Sequence, residues 1–302
     1  MKGVRRMITQ NPFVPFSVAM VTPFDQKERL SLSGIYSLID YYKQNHVPAL
    51  LISGSTGEQH SMTIEERQIL YQEAKSAGKD SLLLIGGVAA VRTTDAIRLA
   101  EACQREKLDG IMLGFPPYLR MSQLEAAAYV KKICTVTDLP IMLYNNPPRT
   151  GFNLELNTLY HLVEKYPQIK ALKEAGNPSN APIVKRELGS SFSVLTGFDL
   201  HLFDNMRNGY DGITSIIGNI FPEEMQQIVE LIKREEWVFA EEQFSKLLPT
   251  IHTILEIGAL RAIKYVLTEN NIEAGICREP LSPLSKQEKK IVMAVWQNRE
   301  VL

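Results

Sequence analysis

A lysine inside a short apolar strand is the first group with chemistry to offer. Residues 169–174, Ile169-Lys170-Ala171-Leu172-Lys173-Glu174, lie between Pro167 and Gly176 and read as a strand. Alternate residues of a strand share a face, so Ile169, Ala171 and Lys173 are expected on one side and Leu172 on the other. An ammonium among apolar neighbours is partly dehydrated, which disfavours its charge and lowers its pKa from about 10.4. The neutral amine is a nucleophile that forms Schiff bases with carbonyls. The plainer reading is a lysine that reaches out to water at the strand end. Other polar groups stand at similar junctions. Gly54-Ser55-Thr56-Gly57-Glu58 sets two hydroxyls and two glycines in a turn. Such a turn presents N–H groups and the hydroxyls of Ser55 and Thr56 to a carboxylate, or is simply a tight turn. Tyr144 closes the run IMLY and carries a phenol that is either a proton carrier or a satisfied core group. Arg149, between Pro148 and Thr150, has the planar guanidinium that binds carboxylates in a bidentate manner, and equally fits an exposed structural arginine. The histidines at 46, 60, 161, 201 and 252 show no HxH or HExxH spacing, so a zinc enzyme has little support. No GxSxG elbow occurs.

These groups need a scaffold that brings them together. Short β-branched and apolar runs occur at 16–21, 49–53, 82–88, 110–115, 140–145, 169–174, 193–197 and 212–217. Helix-like segments separate them, at 31–46, 63–77, 93–107, 122–136, 153–165, 178–189, 199–209 and 222–234. The second of these opens with Thr63 and Glu66 in the capping-box relation. The strands are continuous apolar runs, as expected where both sheet faces are covered. Eight strand–helix units predict a (β/α)₈ TIM barrel over residues 1–234. An open doubly wound sheet is the competitor, but there is no GxGxxG and no GxxxxGK[ST]. Three further helices, near 237–256, 258–270 and 284–299, form a C-terminal helical extension over 235–302. In such a barrel the active site lies at the carboxyl ends of the strands, where GSTGE, Phe115-Pro116-Pro117-Tyr118, Tyr144–Gly151, Lys173 and Thr196-Gly197-Phe198-Asp199 would converge.

Composition narrows the partners. The 302 residues are 45% hydrophobic and 22% charged with a net charge of −1, and no Lys/Arg stripe marks a nucleic-acid or membrane surface. Cys103, Cys134 and Cys277 are odd in number and lack CxxC spacing, which argues against a disulfide framework or zinc site and for the cytoplasm. Residues 1–21 place basic residues before an apolar run, the order of a signal peptide. Pro12 and Pro15 break that run and no small-residue cleavage site follows, so it is not read as one. No apolar stretch approaches the ~20 residues that span a bilayer.

GSTGE at 54–58, YNNPPRTG at 144–151, LKEA at 172–175 and DGITSIIGN at 211–219, in this order and spacing, resemble the dihydrodipicolinate synthase/N-acetylneuraminate lyase family. The likeness runs from about Pro15 to Leu284. It implies a class I lyase that needs no cofactor and no metal, a barrel with a C-terminal helical part, and a homotetramer built as a dimer of dimers. It implies that Lys173 forms the Schiff base with a 2-oxo acid such as pyruvate, and that Tyr144 gives and takes protons at the carbonyl. Ser55 falls where a hydroxyl relays protons, commonly a threonine in the synthases. Tyr118 falls where the synthases extend a tyrosine into the neighbouring subunit's site. Thr56 falls where the 2-oxo acid carboxylate is held, Arg149 where the second substrate's carboxylate is received, and Thr214 where a strand-eight residue lines the pocket.

Departures from the family pattern bear on substrate and regulation. GGVAAVRT stands where the synthases usually carry a GTG-plus-Asn pattern, with Val91 at the amide position, and Pro117 replaces a frequent tyrosine. Both fall where lysine-regulated synthases bind lysine, so insensitivity to lysine is expected. TGFD replaces the usual GDD and is closer to the sialic acid lyases, which lack the Arg149 pattern. The reading is therefore a Schiff-base synthase or lyase most like dihydrodipicolinate synthase, acting on pyruvate and aspartate semialdehyde. The alternative within the family is a catabolic aldolase or dehydratase for a 2-keto-3-deoxy sugar acid, sialic acid or a hydroxyproline-derived acid. The alternative of another class is a non-catalytic 2-oxo-acid-binding barrel, against which Lys173, Tyr144 and Ser55 argue, because a binder needs no nucleophile.

Overall fold

The computed structural model describes residues 11–79 and 81–299. Residues 1–10 of the segment with signal-peptide order, and the outer ends of the expected 1–234 and 235–302 regions, lie outside the described residues. Eight parallel strands close on themselves in sequence order. They are β1 (Phe16–Ala19), β2 (Ala49–Ile52), β3 (Leu83–Gly87), β4 (Gly110–Gly114), β5 (Ile141–Asn145), β6 (Ile169–Glu174), β7 (Ser193–Thr196) and β8 (Gly212–Ser215). The helices that follow them are α1 (Leu32–Gln44), α2 (Ile64–Gly78), α3 (Thr93–Arg105), α4 (Gln123–Cys134), α5 (Leu156–Lys165), α6 (Asn180–Leu188), α7 (Leu202–Arg207) and α8 (Pro222–Lys233). The chain is thus a (β/α)₈ barrel, and every expected strand is present. Alternation along the strands divides the core in two. Ala19, Leu51, Ile85, Met112, Met142, Ala171 and Leu195 fill the lumen, while residues such as Val18, Leu50, Leu84, Leu143 and Leu172 pack between strands and helices.

The face assigned to Ile169 needs correction. Ile141 pairs with Ile169, but the next residue, Met142, pairs with Ala171. Lys170 is therefore an extra residue, a bulge that breaks the two-residue alternation. Ile169 falls in the outer layer with Leu172, and Ala171 alone continues the lumen face toward Lys173.

Local signals explain the helix starts. Thr63 and Glu66 form the expected capping box of α2, with each side chain accepting the other's backbone N–H at 3.1 and 2.9 Å. The C-terminal extension comprises α9 (Trp237–Glu269) and α10 (Lys286–Gln297). Within α9 the first two expected helices are both present and meet at Gly258, whose non-helical φ of 117° only glycine adopts readily. Among the described residues no helix is long and apolar enough to cross a membrane.

Candidate active site

The carboxyl ends of the strands enclose a cavity of about 90 Å³. Its lining comes from β1 (Ala19), β2 and its turn (Leu51, Ser55, Thr56), β4 (Met112), β5 and its loop (Tyr144, Asn146, Arg149), β6 (Lys173, Ala175) and the ends of β7 and β8 (Gly197, Phe198, Ile216). Residues more than 100 positions apart are neighbours here because barrel closure sets β1 against β8.

Lys173 is 6% exposed. Parallel pairing puts Tyr144 directly beside it, and the lysine Nζ lies 5.0 Å from the phenol ring centre. Burial lowers the amine's pKa to about 8, with Arg149 pushing the same way and Asp199 opposing. Close to neutral pH a useful fraction is therefore uncharged and nucleophilic. Room for the amine depends on Gly197. A Cβ there would sit 2.5 Å from Lys173 Cε and 3.0 Å from Nζ.

The phenol of Tyr144 is pushed up by burial and held back by a hydrogen bond from Asn146. Asn146 Nδ2 donates to the Tyr144 hydroxyl at 2.5 Å. Asn146 also caps the single helical turn Pro147–Thr150 that carries Arg149. The Arg149 side chain is exposed and makes no ion pair or hydrogen bond among the described residues, which leaves its guanidinium available at the cavity rim. Asp199 is buried at 5% exposure. Its Oδ1 accepts from Ser215 Oγ and its Oδ2 from the Ile216 N–H at 3.1 Å. Burial raises its pKa, opposed chiefly by the Ser215 bond.

The turn bearing Ser55 and Thr56 is fixed from outside the cavity. Ser53 and Glu58 both hold left-handed φ angles, 55° and 54°. Arg67 of α2, itself buried, donates to Ser53 Oγ at 2.7 Å, Gly87 O at 2.6 Å and Ala89 O at 2.8 Å. Thr22 Oγ1 donates to Gly57 O at 2.6 Å. Glu58 meets Lys264 of α9 at 2.5 Å in an ion pair whose side chains are 1% and 2% exposed.

Five of the seven candidate residues, Lys173, Tyr144, Ser55, Thr56 and Arg149, line this one cavity. Two do not. Thr214 is buried two residues deeper on β8, where it accepts from Ser17 Oγ at 3.0 Å, and the strand-eight wall is Ile216. Tyr118 is 93% exposed with a φ of 69° and is not part of the cavity of its own chain. Asn146 and Gly197 line the cavity, and Asp199 acts on the Lys173 charge, none of them with a role assigned from sequence. The Asn-Pro-Pro order was the available signal for Asn146, since Asn caps helical turns that begin with Pro.

The model of the dihydrodipicolinate synthetase family matches residues 12–299. The chain belongs to that family. The chain is similar to 4-hydroxy-tetrahydrodipicolinate synthase 1 of Halalkalibacterium halodurans, which is 32% identical over 273 residues, covering 90% of this chain and 92% of that protein. Dihydrodipicolinate synthase DapA-2 of Bacillus anthracis superposes with a TM-score of 0.89 at 27% identity, over 96% of this chain and 99% of that one. CdNal of Clostridium difficile, solved in complex with mannosamine, gives a TM-score of 0.90 at 25% identity over 94% and 98%. As a dihydrodipicolinate synthetase family member the chain is a class I lyase, an enzyme rather than a passive barrel.

Proposed function

We propose that the chain condenses pyruvate, or a close 2-oxo acid, with an aldehyde that carries a carboxylate, as a 4-hydroxy-tetrahydrodipicolinate synthase does with aspartate semialdehyde. The buried Lys173 amine with its pKa brought down to about 8 carries this reading. Its lone pair attacks C2 of the 2-oxo acid, and loss of water leaves an iminium that draws electrons from C3. Tyr144 gives its hydroxyl proton to the departing carbinolamine oxygen as water leaves, and the phenolate so formed, with Ser55 as relay, takes a C3 proton to give the enamine. The enamine C3 then attacks the aldehyde carbon, the new alkoxide takes a proton, and hydrolysis or exchange with the product's own amine frees Lys173. Thr56 and the turn N–H groups hold the pyruvate carboxylate, while Arg149 holds the acceptor's.

The cavity of about 90 Å³ suits the small 2-oxo acid, and the acceptor approaches from the Arg149 rim. We extend the reading to a cytoplasmic homotetramer, a dimer of dimers in which Tyr118 serves a neighbouring subunit's relay. The exposed apolar run Tyr118, Leu119 and Leu124, 93%, 47% and 84% exposed, supports such a contact. Light scattering that returns a monomer would refute the assembly. Incubation with pyruvate, borohydride reduction and peptide mapping tests the chemistry: an adduct on Lys173 is expected, and its absence removes the enzymatic reading.

A second reading keeps the mechanism and changes the acceptor to a sugar-derived aldehyde. Phe198 on the cavity wall, with Asp199 and Ser215 behind it, favours this reading, and CdNal binds mannosamine. Turnover of aspartate semialdehyde with pyruvate, set against cleavage of 2-keto-3-deoxy sugar acids and N-acetylneuraminate, decides between the two.

A further inference from the structure

We infer that Asn146 is a positioning residue that sets the direction of the Tyr144 hydroxyl proton, an inference that rests on the Schiff-base reading above. Asn146 is 5% exposed and borders the cavity. Its Oδ1 accepts the backbone N–H of Arg149 at 3.3 Å. A backbone N–H is only a donor, so this bond identifies the oxygen end of the amide. The other end is the NH₂, and it faces the Tyr144 oxygen at 2.5 Å. The amide therefore donates and the phenol oxygen accepts. A hydroxyl whose oxygen is engaged in this way keeps its own single proton for another partner. No other side chain among the described residues bonds that hydroxyl, so the proton is free to serve the substrate.

The same amide stabilises the oxygen after that proton has left, because a donor bonds a phenolate more strongly than a phenol. Asn146 thus favours both halves of a proton shuttle. The turn it caps begins Pro147-Pro148, which limits the backbone freedom of the donor. The preceding asparagine cannot substitute. Asn145 Nδ2 is committed to Asn153 Oδ1 at 3.0 Å and to the Glu174 carboxylate at 3.0 and 3.2 Å.

Two variants separate this role from capping alone. Asn146→Asp keeps the cap, since Asp and Asn are equivalent there, but presents an acceptor to the phenol. It would draw the phenol proton toward itself and away from the substrate. Asn146→Ser keeps a cap but is too short to reach the phenol. With pyruvate and the acceptor aldehyde, both variants are expected to form the Lys173 imine under borohydride and to keep the KM for pyruvate within about twofold. Their kcat should fall about tenfold to a hundredfold, the loss of one charge-assisted hydrogen bond, with Asp the worse. Exchange of the pyruvate C3 protons into deuterated water, followed by NMR, should slow by the same factor. Wild-type kcat and exchange in Asn146→Asp would show that only the cap matters and overturn the inference. Equal loss of imine formation and kcat would also overturn it, by making Asn146 a support of the whole cavity. Failure of the native protein to form the imine would instead strike the underlying Schiff-base reading.

Discussion

Gly197→Ala is a one-methyl test of whether Lys173 must stand where it does. The added Cβ would lie 2.5 Å from Lys173 Cε and 3.0 Å from Nζ. Unstrained carbon contacts begin near 3.5 Å, so the Cε has to retreat by about 1 Å. Gly197 does not hold a left-handed φ, so alanine adds no backbone strain and the effect isolates the side-chain clash. The lysine end is the flexible party and the barrel wall is not, so the amine moves and the fold survives. A 1 Å misplacement of a reacting group costs about a hundredfold in rate. The assay is the rate of borohydride-trappable imine with pyruvate, measured beside thermal unfolding. Imine formation should slow about a hundredfold in Gly197→Ala, with a stability loss of about 1–3 kcal/mol if the crowding is only partly relieved. That stability loss should shrink in a Lys173→Ala background, because the clashing atoms are gone. Wild-type imine formation in Gly197→Ala would refute the placement of the amine, and so would a stability loss that persists unchanged without Lys173.

The pH dependence of the same amine gives a second expectation. With a pKa of about 8, roughly a tenth is neutral at pH 7, so imine formation should rise about tenfold from pH 7 to a plateau above the pKa, and a flat profile would count against it. The folded pKa lies below the unfolded value of about 10.4, so the unfolded chain binds more protons between those values and stability rises with pH across that window. Lys173→Met should accordingly be more stable than the native chain at pH 7, on the order of 3 kcal/mol, an advantage that fades as pH approaches 10; a less stable Lys173→Met would contradict the burial cost. Lys264→Met strands a buried Glu58 and should destabilise by about 3–5 kcal/mol with a raised KM for pyruvate, whereas unchanged melting would deny the pair its role. Arg149→Ala should raise the KM for the acidic acceptor at least tenfold while the pyruvate imine still forms, and equal loss of both would remove the assignment. Lysine at millimolar concentration should leave turnover unchanged, given Val91 and Pro117; a dose-dependent fall would show a regulatory site that those two residues do not abolish.

How far the sequence could be read follows from where each signal lives. The strands and helices were legible because both faces of each strand are covered, which leaves apolar runs, and because α2 begins with its own capping box. Five site residues were legible because the barrel's strand ends converge whatever their sequence separation. Ile169 was misplaced because a bulge at Lys170 leaves no period-two trace in so short a strand. Thr214 was set one layer too high, since two residues along a strand keep the face and change the depth. The exposed position of Tyr118 follows from a left-handed φ that nothing in Pro116-Pro117-Tyr118 announces. Gly197 was invisible as a spacer because its partner, Lys173, lies on the neighbouring strand.

The GSTGE turn shows how one motif divides between two tasks. Ser55 and Thr56 face the cavity, but Glu58 faces the C-terminal helices. One Glu58 oxygen meets Lys264 at 2.5 Å and the other accepts the Arg278 N–H at 3.0 Å. That N–H is the Arg278 backbone amide; the Arg278 side chain donates separately to Ser61 O at 2.6 Å and to the Glu66 carboxylate. Lys264 also donates to Ile276 O at 2.6 Å. Two left-handed non-glycine residues in one short turn cost on the order of 1 kcal/mol each and persist only where the surroundings over-determine them. Arg67 does so from the barrel side and Lys264 with Arg278 from the extension. The C-terminal helices are thus part of what holds the turn bearing Ser55 and Thr56 in its shape. Loosening them, even far from the cavity, should weaken pyruvate binding before the barrel itself unfolds.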